Sequence, residues 1–259
     1  MSGDRLALGA VAALALTGLA KRRGSRSIPP EFKERIVPLL LSGDPDQIAQ
    51  VIAMNESFGS KGLSGLDLSG VNLRDISLSN ANLSGADLSG ANLIGADMYR
   101  TNLSGADLNG ADLYRAFLAR TNLSGADLSG AFINEANLDR ADLRNANLGG
   151  AVMIRAKLNG AKLEGADLSG AMLRRATFLF TSLRGVNLSN ADLSRANLSE
   201  IDLRGVNLQG ANLQGANLTG SLVRGVDLSG ADLSYAVVDN ILFDSTTIWP
   251  EGFAPLPPR

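Results

Sequence analysis

The chain has 259 residues, a formal net charge of −2, and neither cysteine nor histidine. Disulfides, thiolate nucleophiles, cysteine or histidine metal sites and imidazole acid–base chemistry near neutral pH are therefore all excluded. With 24 Lys and Arg against 26 Asp and Glu there is also no basic excess to draw nucleic acid, and no catalytic residue, cofactor or metal is expected.

In chain order, the first feature is the uncharged, mostly apolar run 6–20, followed at once by Lys21-Arg22-Arg23. As a helix this run reaches about 22 Å, against a hydrocarbon core of about 30 Å. Residues 1–27 thus fit three roles: a membrane or interfacial anchor, a cleaved signal, or an apolar helix docked on protein. The small residues Gly9, Ala10, Ala13 and Gly18 would permit close helix packing. Basic residues after the apolar run predict that this flank stays cytoplasmic, either in the cytoplasm or on the cytoplasmic face of a membrane; a signal would mean export.

Residues 28–60 read as a short helical cap. Phe32, Ile36, Leu39 and Leu40 fall on one helical face; a second helix begins near Asp44-Pro45 and carries Ile48, Val51 and Ile52. Such a lid suits the first coil of a solenoid, whose end exposes unpaired backbone and apolar core.

From Leu66 to Ser245 a five-residue rule runs without slippage, as in Ala86-Asp87-Leu88-Ser89-Gly90. With the leucine taken as position i, residue i is always apolar from Leu68 to Phe243 and residue i−2 is nearly always small. Strand alternation sends i−2 and i inward and i−1, usually Asp or Asn, outward. Five is odd, so each unit must turn a corner at i+1 and i+2, where Ser-Gly is common.

Substitutions recur every 20 residues: Val186, Val206 and Val226 at i−2, Phe132, Val152 and Met172 at i−1, Arg100, Arg120 and Arg140 at i+2. Four units then close one coil, and the 36 units give nine coils, a rod of about 43 Å at ~4.8 Å per layer. The asparagine glycosylation pattern at Asn82, Asn102 and Asn122 is a by-product of this period.

These residues resemble the pentapeptide-repeat family, with its A(D/N)LxX unit. The resemblance implies an all-β fold, a right-handed quadrilateral β-helix, over residues 61–245, with 246–259 as a C-terminal cap and tail. Thr247-Ile248-Trp249-Pro250-Glu251-Gly252-Phe253 is similar to endings seen in that family. Leu222, Val237 and Leu242 are expected to join Ile248, Trp249 and Phe253 in the cap. The resemblance also implies a homodimer through this end.

Two outer surfaces are candidate sites. Asp67, Asp87, Asp107, Asp127, Asp167 and Asp227 share one 20-residue register as an acidic stripe. Several family members mimic DNA and bind DNA gyrase, a type II topoisomerase, so the resemblance offers a DNA-mimicking regulator as the second functional expectation. Against it, rows such as Arg155, Arg175 and Arg195 dilute the negative field. The second surface is apolar: Phe132, Val152 and Met172 stack, with Tyr114 and Ile154 in the adjacent column and Phe117, Leu179 and Phe180 on the next side or its corner. Exposed contiguous apolar surface usually marks an interface. The leading expectation is a non-catalytic scaffold, a rigid rod that presents this surface to a protein partner, with a membrane contact through residues 6–20.

Overall fold

The computed structural model describes Leu39, Gln47 and residues 63–253. The chain is a right-handed four-sided β-helix in which the outward i−1 residues, with two exceptions in the C-terminal half, pair in parallel with the residue 20 positions on. One side runs Asp67, Asp87, Asp107 and onward; the second starts at Asn72, the third at Ser77 and the fourth at Asn82. Each side contributes a single paired residue per coil, so the ladder is made of isolated parallel bridges separated by corners.

A complete backbone account explains why five residues suffice. In the unit 86–90, the Asp87 N–H donates to the Leu66 carbonyl in the coil before (2.8 Å) and the Leu88 N–H to the Asp107 carbonyl in the coil after (2.7 Å). Gly90 N–H donates to the Asn109 carbonyl (2.9 Å), and Ala86 N–H reaches back across the corner to the Leu83 carbonyl (3.1 Å). The fifth donor, Ser89 N–H, goes to Asp87 Oδ1 at 2.9 Å. No amide is left over, as burial of polar backbone requires. The outward Asp or Asn is therefore part of the backbone scheme.

In three units that lack Asp or Asn at i−1, the fifth donor finds a side chain one coil earlier. After Val152, Ile154 N–H donates to Asn134 Oδ1 (2.9 Å). After Lys157, Asn159 N–H donates to Asp139 Oδ1 (3.0 Å), and after Thr177, Leu179 N–H donates to Asn159 Oδ1 (3.0 Å). Replacing Asn134 by Ala should cost about 0.5–1.5 kcal/mol in chemical denaturation, because the Ile154 amide loses its acceptor. Asn134→Asp keeps an acceptor and should be near neutral.

The core is two kinds of column. Leucine-type residues at i, such as Leu108, Leu128 and Leu148, are fully enclosed, and alanines at i−2 lie beside them. Each buried leucine is worth about 1.5–3 kcal/mol relative to exposure. The hydroxyls of the enclosed Thr101 and Thr121 are satisfied, Thr101 Oγ1 donating to the Leu78 carbonyl and Thr121 Oγ1 to the Met98 carbonyl, both at 2.6 Å, whereas the buried Thr177 Oγ1 has no partner among the described residues. Leu63 is 1% exposed, so the inward pattern reaches back before Leu66.

Among the described residues, the fourth side has no bridge between Ser182 and Asp202, although Lys162–Ser182 and Asp202–Leu222 are both paired. The gap follows Phe178, a ring standing where leucine usually stands, and lies next to the enlarged Val186 and Val206. Extra core volume spreads a tightly packed layer.

Corner residues at i+2 take the left-handed backbone region whatever their identity. Glycine is the default, yet Arg100, Arg115, Arg120, Arg155, Arg175 and Arg195 all have φ of 56–61°. The sequence expectation that glycine enables the corner is thus incomplete: this geometry is imposed by the stack, and a non-glycine residue tolerates it at about 1–2 kcal/mol.

At the ends, Leu39 is helical and packs against the core, and Gln47 is helical too. The apolar run 6–20, and Phe32, Ile36, Leu40, Ile48, Val51 and Ile52, lie outside the described residues. Among the described residues no helix is long and apolar enough to cross a membrane. At the C-terminus one residue is inserted, so Asp227 pairs with Ile248, 21 positions on. Trp249 sits between Phe243 (5.5 Å between ring centroids) and Phe253 (5.4 Å), and all three pack on the core. The expected cap is corrected in part: Val237, Leu242 and Ile248 are exposed, because outward i−1 positions remain outward to the last coil.

Candidate functional site

The parallel pairing Asp112–Phe132–Val152–Met172–Asp192 puts the three apolar residues in consecutive coils of the second side. Phe132 is 49% and Met172 46% exposed, and Val152 is half-buried between them. The interior is already filled by Ile133, Met153 and Leu173, so these outward side chains do nothing for the core. Ile154 and Tyr114 stand half-buried at the adjoining corner column.

Phe117, Leu179 and Phe180 are not brought into this strip. Phe117 is on the third side, stacked on Tyr99 with ring centroids 6.0 Å apart. Leu179 lies three coils farther along, with Asp139 and Asn159 between in the same column. Phe180 projects from the corner beyond, 91% exposed and at φ 58°. Tyr99 was missed by the sequence reasoning; its place at i+1, one coil before Phe117, was the available signal.

The acidic stripe is continuous along the first side, where Asp67, Asp87, Asp107 and Asp127 stack in neighbouring coils. Farther along, Asn147 donates its amide to Asp127 (3.1 Å) and Asn187 to Asp167 (3.0 Å), which separates the carboxylates. Oδ1 of every residue of the column accepts from the N–H two positions on, asparagines included: Ser169 N–H donates to Asp167 (2.9 Å), Ser189 N–H to Asn187 (3.2 Å) and Ser229 N–H to Asp227 (2.8 Å). At Asp67, the Ser69 hydroxyl and then its N–H hold the carboxyl below its ordinary range. The stripe thus has a backbone role that does not need charge.

The third element is a corner groove of about 660 Å³ between the second and third sides. Arg155, Arg174, Arg175 and Arg195 line it together with Ile154 and Glu135. Glu135 accepts from Arg115 at 2.9 Å and lies 3.7 Å from Arg155, and Arg174 is 3.6 Å from Asp192. Among the described residues, no group of acidic residues has the geometry of a metal site.

Comparison with known proteins places this architecture. The model for pentapeptide repeats matches in eight overlapping copies from residue 67 to residue 247. Among solved structures, HetL, a pentapeptide-repeat protein involved in heterocyst differentiation regulation in the cyanobacterium Nostoc sp. strain PCC 7120, is 34% identical. That alignment covers 78% of this chain and 97% of HetL, with a TM-score of 0.42. Rfr23 from the cyanobacterium Cyanothece 51142 is 31% identical over 48% of this chain and 90% of its own, with a TM-score of 0.27. QnrB1, a plasmid-mediated fluoroquinolone resistance protein, is 20% identical over 65% of this chain and 90% of its own, with a TM-score of 0.40. A search of curated proteins gave no match. The repeat, its four-sided register and the match to the pentapeptide-repeat model agree: the chain belongs to the pentapeptide-repeat family.

Proposed function

We propose that this protein is a non-catalytic interaction scaffold: a rigid rod that presents its second side to a protein partner. The observation that carries this reading is the stack Phe132–Val152–Met172, outward in consecutive coils and half exposed at both ends. Folding gives no reason for it, since Asp or Asn at i−1 would serve the backbone better and Val152 needs Asn134 as a substitute acceptor. Residues 6–20 act in this reading as a tether to a membrane or larger assembly, and the C-terminal end as a dimer contact. The DNA-mimic alternative draws on Asp67 to Asp127, but the backbone role of that column and the arginine corners weigh against it.

Phe132→Ser combined with Met172→Ser tests the reading. Both side chains are outside the core, so the unfolding midpoint should stay within the range of surface changes. Recovery of the native partner by crosslinking and affinity purification should fall about tenfold or more, given about 1.5–3 kcal/mol per apolar side chain removed from an interface. Unchanged recovery would reject the second side as the contact.

A further inference from the structure

We propose that the corner groove between the second and third sides receives an acidic, amphipathic α-helix of the protein partner, laid parallel to the rod axis. This rests on the scaffold reading and deepens it by naming the chemistry of the bound segment.

Charge is the first argument. Four guanidinium groups line the groove against one carboxylate, Glu135, which already serves Arg115 and Arg155. Arg175 and Arg195 have no ion-pair partner among the described residues. The chain as a whole is slightly acidic, so this cationic row is a local feature and not the overspill of a basic protein.

Backbone conformation is the second. Arg155, Arg175 and Arg195 stand at φ 61, 59 and 56°, the region that Gly150, Gly160, Gly165, Gly170, Gly185 and Gly205 take at other corners of these coils and that Phe180, Asn190 and Glu200 also occupy. Three successive coils accept left-handed strain to place long cations in one line. Solubility alone would be served at the unstrained i−1 or i+1 positions.

The apolar strip supplies the third argument. Ile154 lies in the groove itself, and Met172 and Phe132 flank it on the second side. A segment filling this corner must therefore carry carboxylates along one stripe and apolar side chains along the next. A single-stranded nucleic acid would satisfy the arginines and stack a base on Phe132, but Val152, Ile154 and Met172 offer its bases no ring.

Spacing selects the helix. Arginines recur once per coil, at about 4.8 Å, and a helix returns a side chain to the same face every 5.4 Å, so over the two steps from Arg155 to Arg195 the drift is only about 1 Å. An extended strand repeats its face at about 6.8 Å and drifts by about 4 Å over the same two steps. The groove spans coils from Asn134 to Gln214. Four coil steps are about 19 Å, the length of a helix of about 13 residues.

The test uses the full chain and a capped 18-residue Leu/Glu/Ala peptide with one glutamate stripe beside one leucine stripe, followed by fluorescence anisotropy at low salt. Comparison probes are the same composition scrambled, the same helix with Lys in place of Glu, and single-stranded poly-uridine RNA. Binding of the acidic amphipathic helix, at least about tenfold tighter than the scrambled peptide and weakened about tenfold by Arg175→Glu with Arg195→Glu, supports the proposal. Binding should also weaken as salt rises. No binding, equal binding of the scrambled peptide, tighter binding of the lysine helix or of RNA, or indifference to the two charge reversals overturns it. Folding of the variant is checked by its unfolding midpoint; Arg175→Gln with Arg195→Gln stands in if the reversal destabilises the rod. Should partner recovery depend on Phe132 and Met172 but not on the arginines, the scaffold reading survives and this proposal fails alone.

Discussion

Leu128→Asp should abolish cooperative folding of the middle coils. Leu128 is fully enclosed, with Leu108 below and Leu148 above it in the same column. The substitution removes a leucine worth about 2–5 kcal/mol including its cavity, and it puts a carboxylate where no donor waits. Together these exceed about 5 kcal/mol, a large share of the stability of a typical domain. A solenoid has only nearest-neighbour contacts, so the break should be local: coils on either side retain structure while the centre opens. Hydrogen exchange resolved along the chain is the readout. Leu128→Met, which keeps the volume, should cost under about 1.5 kcal/mol. Protection in the central coils that survives Leu128→Asp unchanged would mean that this side chain does not face a sealed core.

The second large effect is Ala131→Leu. Ala131 is fully buried, and its column neighbours Ala111 and Ala151 are equally enclosed, so the added carbons have nowhere to go. Overpacking of this kind costs about 1–3 kcal/mol, here at the upper end because alanine columns run through adjacent coils. Its neighbour Phe132 faces water, and Phe132→Ser should leave stability almost unchanged. Two adjacent residues thus give opposite outcomes, as single-residue alternation demands. A similar loss for both in chemical denaturation would contradict the inward and outward assignment.

Much of this was legible in the sequence because the repeat is its own alignment. Val186, Val206 and Val226 declare a 20-residue coil without any structure, and the small-x-large pattern declares which residues point inward. The acidic stripe and the strip Phe132–Val152–Met172 follow from the same register, and the structure places both as stacked columns. Other features were hidden, because a single unit does not reveal the layer above it. Asn134 looks like an ordinary corner residue until the orphaned Ile154 amide is seen reaching for it from the next coil. The arginines at i+2 look merely solvated until their left-handed φ values mark them as strained. Phe117 and Leu179 share a side but not a patch, since the polar Asp139 and Asn159 fill the interval. Val237, Leu242 and Ile248 were drawn toward the cap by their hydrophobicity alone, and alternation overrode it.

The coil length is the claim on which all these assignments depend, and the absence of native cysteine makes it directly testable. Val152→Cys with Met172→Cys places two thiols in directly paired positions of adjacent coils, about 4.8 Å apart along the axis and within disulfide reach. Neither native residue provides an amide acceptor, so the backbone scheme is untouched. Under mild oxidation this pair should close to an intramolecular disulfide in the folded protein, detected by mass spectrometry, while Val152→Cys with Thr177→Cys, on different sides, should not. Closure of the second pair with the first left open would contradict the four-sided register.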